Sequence, residues 1–328
     1  MVTSFDCVIV GAGIAGMLAA TDLEAAGKRV LVLEKGRGLG GRMATRRWEG
    51  AVFDHGAQFF TARDPRFRER VEEWIGLGLV EPWYEFPEGE VHYRGVPSMT
   101  SVAKHLAANL NNVVRRECLV EAVRRMEDGR WEVTLAGGEL VSGRTLLMTA
   151  PVPQSLALLD AGGVGIDGDA RARLEGIEFH KCIAAMAILD GPSALTMYGG
   201  SLKLHDQEPI QWMADNQRKG VSPEVPSVTI HSTPAFAEAH WNSPDEERLP
   251  PLLEAAADYL KATVMSAHGH RWGFSQPKAA FGEEAFVDRD RGLAIAGDGL
   301  AGGRVEGAAL SGMVAGELLG AVSPGWME

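Results

Sequence analysis

The chain has 328 residues, 45% of them hydrophobic and 23% charged, with a formal net charge of −12. These values lie near soluble globular averages and exclude a disordered or fibrous protein, and the acidic balance argues against a nucleic-acid binder, which needs a basic surface to displace counterions. Length predicts about two domains, and the 40 glycines, about 12% against a usual ~7%, point to tight turns and close backbone approaches. Met1-Val2-Thr3-Ser4-Phe5-Asp6 runs straight into a strand-like segment without a basic leader. With no apolar run of ~18 residues, a cytoplasmic protein with no membrane partner is expected. Cys7, Cys118 and Cys182 lack the paired spacing of a zinc site or redox disulfide and read as buried small hydrophobes.

Asp6 to Val10 predicts a strand. It is followed by Gly11-Ala12-Gly13-Ile14-Ala15-Gly16, a helix carrying Met17, Leu18, Leu23 and Ala26 that Gly27 ends, and a second strand over Arg29 to Leu33 closed by Glu34. The acid stands about 20 residues beyond the first glycine, as a dinucleotide-binding βαβ unit requires. Gly11 permits the turn, Gly13 lets the backbone approach a pyrophosphate, Gly16 allows close helix packing, and the free amides at the helix start attract negative charge. Glu34 suits a ribose diol. Lys35-Gly36-Arg37-Gly38-Leu39-Gly40-Gly41-Arg42-Met43 follows at once, supplying flexible backbone and a guanidinium for phosphate. Phe53-Asp54-His55-Gly56-Ala57-Gln58-Phe59-Phe60-Thr61 reads either as backbone passing close to a ligand or as a strand edge bulged at Gly56.

Helices are expected over 65–79 and 99–110, with strands and turns over Glu81 to Pro97. Cys118 to Val123, Arg130 to Leu135 and Glu139 to Val141 read as a β-meander, and Thr145 to Ala150 as a separate buried strand. From Pro151 to about Asp288 the character changes, with helices at 153–160 and 245–265, strands at Cys182 to Leu189, Ile210 to Ala214 and Ser227 to His231, and most of the histidines. This segment is expected to be an inserted domain. His268 and His270, two apart with no acid cluster, make a poor metal pair, and no metal is expected. Near the end, Leu293 to Ala296 is a strand leading to Gly297-Asp298-Gly299, and after Gly303-Arg304-Val305-Glu306-Gly307-Ala308 a helix runs to about Leu319. Two dinucleotide-like half-motifs at opposite ends of one chain call for an extended cofactor such as FAD.

The glycine turn, Glu34 and the Gly-Gly-Arg at Gly40 to Arg42 resemble the flavoprotein amine oxidase superfamily. Gly-Ala-Gln-Phe at 56–59, His231-Ser232-Thr233-Pro234 and Arg271-Trp272-Gly273-Phe274-Ser275-Gln276 resemble its renalase-like branch. The resemblance spans nearly the whole chain. It implies an α/β fold, a Rossmann-like FAD-binding domain of glutathione-reductase/amine-oxidase type with an inserted α+β substrate domain. The FAD-binding domain would comprise 1–60, 96–155 and 286–328, and the substrate domain 61–95 and 156–285. Non-covalent FAD would be held by Gly11, Ala12, Gly13, Ile14, Ala15 and Gly16; by Glu34, Lys35, Gly41, Arg42 and Met43; by His55, Gly56, Ala57, Gln58 and Val120; and by Gly297, Asp298, Glu306, Gly307 and Ala308.

The resemblance further implies oxidation of dihydro isomers of NAD(P)H, reduced at nicotinamide C2 or C6, to NAD(P)+. Hydride passes to flavin N5 and electrons to O2, forming H2O2. Such a donor becomes aromatic on oxidation, so the protein's task is stacking and orientation rather than strong base catalysis. The residues expected to act on substrate are His231, Trp272, Gln58, Phe59 and Gln276, with Trp272 and Phe59 walling the nicotinamide, Gln58 and Gln276 binding its amide, His231 over the flavin or meeting a substrate phosphate or ribose, and Trp212 a further candidate. Gly299 stands where relatives often carry a bulky aromatic, which bears on substrate choice. The partners are then a small dihydropyridine nucleotide and O2, with the protein a monomer or homodimer. An amine oxidase or other desaturase-type flavoenzyme on the same fold, and an FAD-binding redox sensor without turnover, are the alternatives.

Overall fold

The apolar runs flanking the glycine turn form the strands Ser4–Val10 and Val30–Leu33, paired in parallel from Cys7 opposite Val30 to Val10 opposite Leu33. Parallel neighbours need a crossover, and the helix Ile14–Ala25 supplies it. The computed structural model describes residues 4–86, 89–111, 113–204, 208–279 and 281–321. Met1 to Thr3 of the expected leaderless start, and residues 87 and 88 of the expected strand-and-turn segment, lie outside these.

The chain divides into two compact units, one of Met1–Gly41, Ala103–Glu178 and Gln276–Glu328, the other of Arg42–Val102 and Phe179–Ser275. These divisions fall at other residues than the expected domain limits. The core of the first unit is a sheet in the order Phe286–Asp288, Leu293–Ile295, Leu140–Met148, Ser4–Val10, Val30–Leu33, Val114–Arg115. Its three central strands are apolar and buried over Cys7–Val10, Val30–Leu33 and Leu146–Met148, as expected for a sheet covered on both faces. The mixed α/β class with a parallel Rossmann-like sheet is the one expected.

One correction concerns Glu139 to Ala150. The expected meander strand and the expected buried strand are a single strand, Leu140–Met148, antiparallel to Trp131–Leu135 at its start and parallel to Ser4–Val10 along its length. Ser142 and Gly143, which look like a break, remain extended; a Cβ at Gly143 would stand 2.8 Å from Val8 Cγ2, so glycine keeps the two strands together here.

The helix Val305–Gly320 lies against Ile14–Ala25 with backbone on backbone. A Cβ on Gly312 would stand 2.1 Å from the Ala15 oxygen, one on Gly316 3.1 Å from Ala19 Cα, and one on Gly320 3.4 Å from Leu23 Cδ2. Because Gly312, Gly316 and Gly320 meet Ala15, Ala19 and Leu23 in rising order, the two helices are parallel and start at the same end.

The second unit has a five-stranded sheet in the order Ser201–Lys203, Ile210–Asp215, Ser227–Ser232, Phe179–Leu189, Val264–Pro277, and two hairpins, Thr45–Trp48 with Ala51–Asp54 and Val80–Glu85 with Val91–Gly95. Helix Asp245–Leu260 buries Leu249, Leu252, Ala256 and Leu260 against Ile183, Ile210, Met213, Val228 and Ile230 of the sheet. The expected 245–265 helix is therefore too long. Lys261, with φ 52°, ends it in the left-handed region, and the strand Val264–Pro277 follows, unread because its His-Gly-His-Arg-Trp run shows no apolar alternation. Cys118 is also not buried as expected, being half-exposed, with its thiol donating to the Arg116 oxygen at 3.3 Å.

Gly312→Ala must push the two helices apart, at a cost of about 1–3 kcal/mol or more, whereas Gly165→Ala adds its methyl to open space. Thermal unfolding of both variants should show a clear drop in midpoint for the first alone; equal midpoints would contradict the backbone contact.

Candidate functional site

The glycine turn is built by steric exclusion. Gly11 has φ +112° and would place a Cβ 2.6 Å from Thr149 Oγ1, and a Cβ on Gly16 would stand 2.1 Å from the Gly11 oxygen. Gly16 thus packs on the turn itself. Gly13 has no atom within 4 Å of its would-be Cβ and is the N-cap of Ile14–Ala25, with no side-chain cap and no acid in the first turn. The first amides of this helix, at Ile14, Ala15 and Gly16, therefore open on a cradle suited to a pyrophosphate.

Glu34 fastens this turn to the following loop. One carboxylate oxygen accepts from the Ala12 amide at 2.9 Å, the other from the Gly36 amide at 2.7 Å. The Gly40 amide donates to the Ala12 oxygen at 2.9 Å, and Gly41, with φ +54°, would place a Cβ 3.5 Å from Gly13 Cα. Lys35 is exposed, and Val120 is buried at the start of the strand Val120–Arg125.

The second half-motif is in the same unit. Gly297, with φ +143°, precedes the short helix Asp298–Ala301, and Arg304 begins Val305–Gly320 without a side-chain cap. Asp298 and Glu306 are buried at 6% and 7% exposure. Gly307 has no room for a Cβ, which would stand 2.2 Å from the Gly302 oxygen, and Ala308 donates its amide to the Arg304 oxygen at 3.0 Å. Since Ala15 lies level with Gly312, the second helix begins roughly 9 Å before the first along their common direction. Two helix starts stepped in this way suit a cofactor longer than one pyrophosphate.

In the second unit the segment Asp54 to Thr61 is held carbonyl by carbonyl. The Asp54 oxygen accepts from Gln58 Nε2 at 2.5 Å and Thr229 Oγ1 at 3.0 Å, and the Gly56 oxygen also accepts from Gln58 Nε2 at 3.2 Å. The His55 oxygen accepts from Trp272 Nε1 at 2.9 Å and His231 Nε2 at 3.1 Å. Ala57 donates its amide to the Arg42 oxygen at 2.7 Å, and a Cβ on Gly56 would stand 2.1 Å from that oxygen and 3.2 Å from Trp272 Cζ2. Gly56 is required by this close approach to the Arg42 backbone. Arg42 itself donates to the Phe274 and Ser275 oxygens at 3.2 and 3.4 Å, and Met43 is buried.

Below the segment lies a fully buried ion pair, Lys219 Nζ to Asp54 Oδ2 at 2.8 Å. Asp54 Oδ1 also accepts from Thr45 Oγ1 at 2.6 Å and the Met99 amide at 3.1 Å, and Lys219 Nζ stands 5.0 Å from the centre of the Trp83 ring. Lys219 was not legible in advance, because it closes the polar run Asp215 to Lys219 that reads as a solvated turn.

The ring side chains form two groups. His55 stacks on Trp272 at 5.2 Å, and His270 meets both edge-on, at 4.8 and 4.4 Å. Phe59 packs instead with His92 at 4.2 Å, Trp212 at 5.4 Å and Tyr84 at 6.2 Å. Of the residues expected to act on substrate, His231 and Trp272 thus share one carbonyl, and Phe59 belongs with Trp212. Gln58 is buried, its Oε1 without a partner, and Gln276 is exposed in the first unit. Burial pushes His55 down to about 3 and His231 and His270 to about 4, helped at His55 by His270 and Arg46 and at His270 by Arg46. All three are neutral near pH 7. Burial also lowers Lys219, against the pull of Asp54. Among the described residues, no group of three His, Cys, Asp or Glu side chains is placed to hold a metal, and no helix is long and apolar enough to cross a membrane.

Residues 9–74 match the NAD(P)-binding Rossmann-like domain model, so the first strands carry a dinucleotide-binding fold. Putrescine oxidase of Kocuria rosea is 40% identical over 88 residues, 27% of this chain, and lysine-specific histone demethylase 1 homolog 1 of Arabidopsis thaliana is 32% identical over 163 residues, 47% of this chain. The chain spans only 18% of the length of either relative. The solved structure of a putrescine oxidase triple mutant superposes with a TM-score of 0.74 at 16% identity, covering 98% of this chain and 99% of its own. Cyclohexylamine oxidase from Brevibacterium oxydans IH-35A gives 0.72 at 14% identity, covering 97% and 99%. From end to end, the chain has the fold of these amine oxidases.

The lowered histidines set an acid sensitivity. The unfolded chain takes up protons near 6.5, while His231 and His270 resist until about 4 and His55 until about 3, so their contribution is intact above 6.5 and is lost as pH falls from there towards 4. Chemical denaturation across this range should show stability falling with acid, and His270→Gln should remove up to one proton from the uptake on unfolding. An unchanged uptake would contradict the neutral cluster.

Proposed function

We propose that this chain is an FAD-dependent oxidoreductase of the flavin amine oxidase type that oxidises 2- or 6-dihydro isomers of NAD(P)H to NAD(P)+. FAD, when bound, supplies a two-electron acceptor that dioxygen returns to its oxidised state with release of H2O2. The cofactor half rests on the glycine cradle and the two stepped, uncapped helix starts of the first unit. Gly11 to Gly16 would take the pyrophosphate and Glu34 the ribose. Asp298 opens the short helix before Val305–Gly320, and Glu306, Gly307 and Ala308 stand in the first turn of the latter, where the helix dipole favours negative charge. Arg42, Met43, His55, Gly56, Ala57 and Gln58 are proposed to complete the binding.

The substrate half rests on one observation: the rings about the His55 carbonyl are neutral, three imidazoles and an indole, and the Asp54 carboxylate is engaged by Lys219. Such a surface suits a flat, uncharged dihydropyridine, whose loss of hydride is driven by aromatisation and needs no strong base. Trp272, His231, Gln58, Phe59 and Gln276 are proposed to stack on and orient it. A second reading, oxidation of a small amine, draws on the fold of the putrescine and cyclohexylamine oxidases and on the ring group of Phe59, Tyr84, His92 and Trp212, which suits a cation over ring faces.

Anaerobic titration of the purified protein, following the flavin absorbance, separates the two readings. Bleaching by mixed dihydro-NAD isomers and not by putrescine, cyclohexylamine or ordinary NADH is the expected result; bleaching by the amines alone would overturn the first reading. Gly13→Ala, whose methyl enters the open cradle, should keep the thermal midpoint of the cofactor-free protein and lose at least tenfold in FAD affinity. Unaltered affinity would contradict the assignment of the cradle.

A further inference from the structure

His231 projects from the strand Ser227–Ser232, where Ala184 of Phe179–Leu189 stands opposite it on one side and Trp212 of Ile210–Asp215 on the other. Directly opposed residues share a face of the sheet. The neighbouring positions Ile183, Ala185, Met213 and Ile230 go to the core beneath, so Ala184, His231 and Trp212 present the other face, the one on which His55 and Phe59 lie. The cross-strand neighbours of His231 on that face are thus an indole on one side and a single methyl on the other.

The hydrogen bond at Nε2 decides what the other nitrogen offers. A carbonyl oxygen only accepts, so the 3.1 Å contact with the His55 oxygen requires the proton on Nε2 and leaves Nδ1 with a bare lone pair. The same oxygen takes a second hydrogen bond from Trp272, which holds the carbonyl to which His231 is tied. His231 is half-buried, and no described residue donates to Nδ1. A preset acceptor on an aromatic face is the complement of a ligand N–H in the plane of a flat ring.

We propose that His231 is the specificity-determining residue for the substrate's carboxamide, its Nδ1 accepting one N–H of the amide. This rests on the dihydropyridine reading above. His231→Gln and His231→Asn divide the two functions of the ring: glutamine reaches the His55 oxygen with its amide N–H and drops the Nδ1 acceptor, and asparagine keeps an acceptor near Nδ1 and drops the tie.

The test is calorimetric binding to the FAD-loaded protein of NAD+, the product, and of its 3-acetylpyridine analogue, in which a methyl replaces the amide nitrogen. The wild type should prefer NAD+ by roughly three- to tenfold, the yield of one hydrogen bond. His231→Gln should bind both alike at the wild-type level for the analogue, and His231→Asn should recover part of the preference. A preference retained in His231→Gln would overturn this inference alone, whereas failure of the wild type to bind either nucleotide would overturn the dihydropyridine reading and this inference with it. Should His231→Gln not fold, nitrogen-15 NMR of the wild type decides. The His231 Nδ1 resonance should move on addition of NAD+ and not of the analogue, and an unmoved resonance would overturn the assignment.

Discussion

One buried carboxylate organises the second unit. Asp54 meets Lys219 with both side chains wholly removed from solvent, and its other oxygen gathers Thr45 and the Met99 amide. Removing one partner of such a pair costs about 3–5 kcal/mol, because the survivor is left charged and unpaired. The pair therefore fixes the point from which the chain leaves the Ala51–Asp54 strand. From that point each successive carbonyl has an assigned donor: Gln58 and Thr229 on Asp54, Trp272 and His231 on His55, and Gln58 again on Gly56. A backbone held so completely is preorganised, which is the property a site needs when its chemistry is orientation rather than proton transfer.

The first unit meets a different constraint, the absence of side chains where backbones touch. Gly16 on the Gly11 oxygen, Gly143 on Val8 and Gly312 on Ala15 each remove the atom that would hold elements apart. The result is a pair of parallel helices with stepped, uncapped starts. Their partial positive ends are a property of backbone geometry alone, so an acidic protein can offer a cradle suited to an anion without a basic patch.

The glycine turn, its helix and the acid that follows were legible because everything that defines them lies within one βαβ unit. The terminal half-motif was legible for the same reason. The step between the two helix starts was not, since it depends on which glycines of Val305–Gly320 meet which alanines of Ile14–Ala25. Leu140–Met148 misled because its middle carries Ser-Gly, which turn chemistry marks as a break, while the tight approach to Val8 keeps it straight. Trp272 and His231 could be singled out by their motifs, but their common attachment to the His55 carbonyl could not, because the three residues come from distant parts of the chain. Lys219 was hidden altogether, since a lysine in a polar run gives no sign that tertiary packing has removed its water.

The central claim is that neutral rings on a rigid backbone select a dihydropyridine for oxidation. It is tested most directly by aerobic turnover of the separated dihydro-NAD isomers, with NAD+ and H2O2 quantified together. The account predicts equimolar NAD+ and peroxide from the 2- or 6-dihydro isomers and neither from ordinary NADH. Peroxide from putrescine or cyclohexylamine, with none from any dihydropyridine, would contradict it.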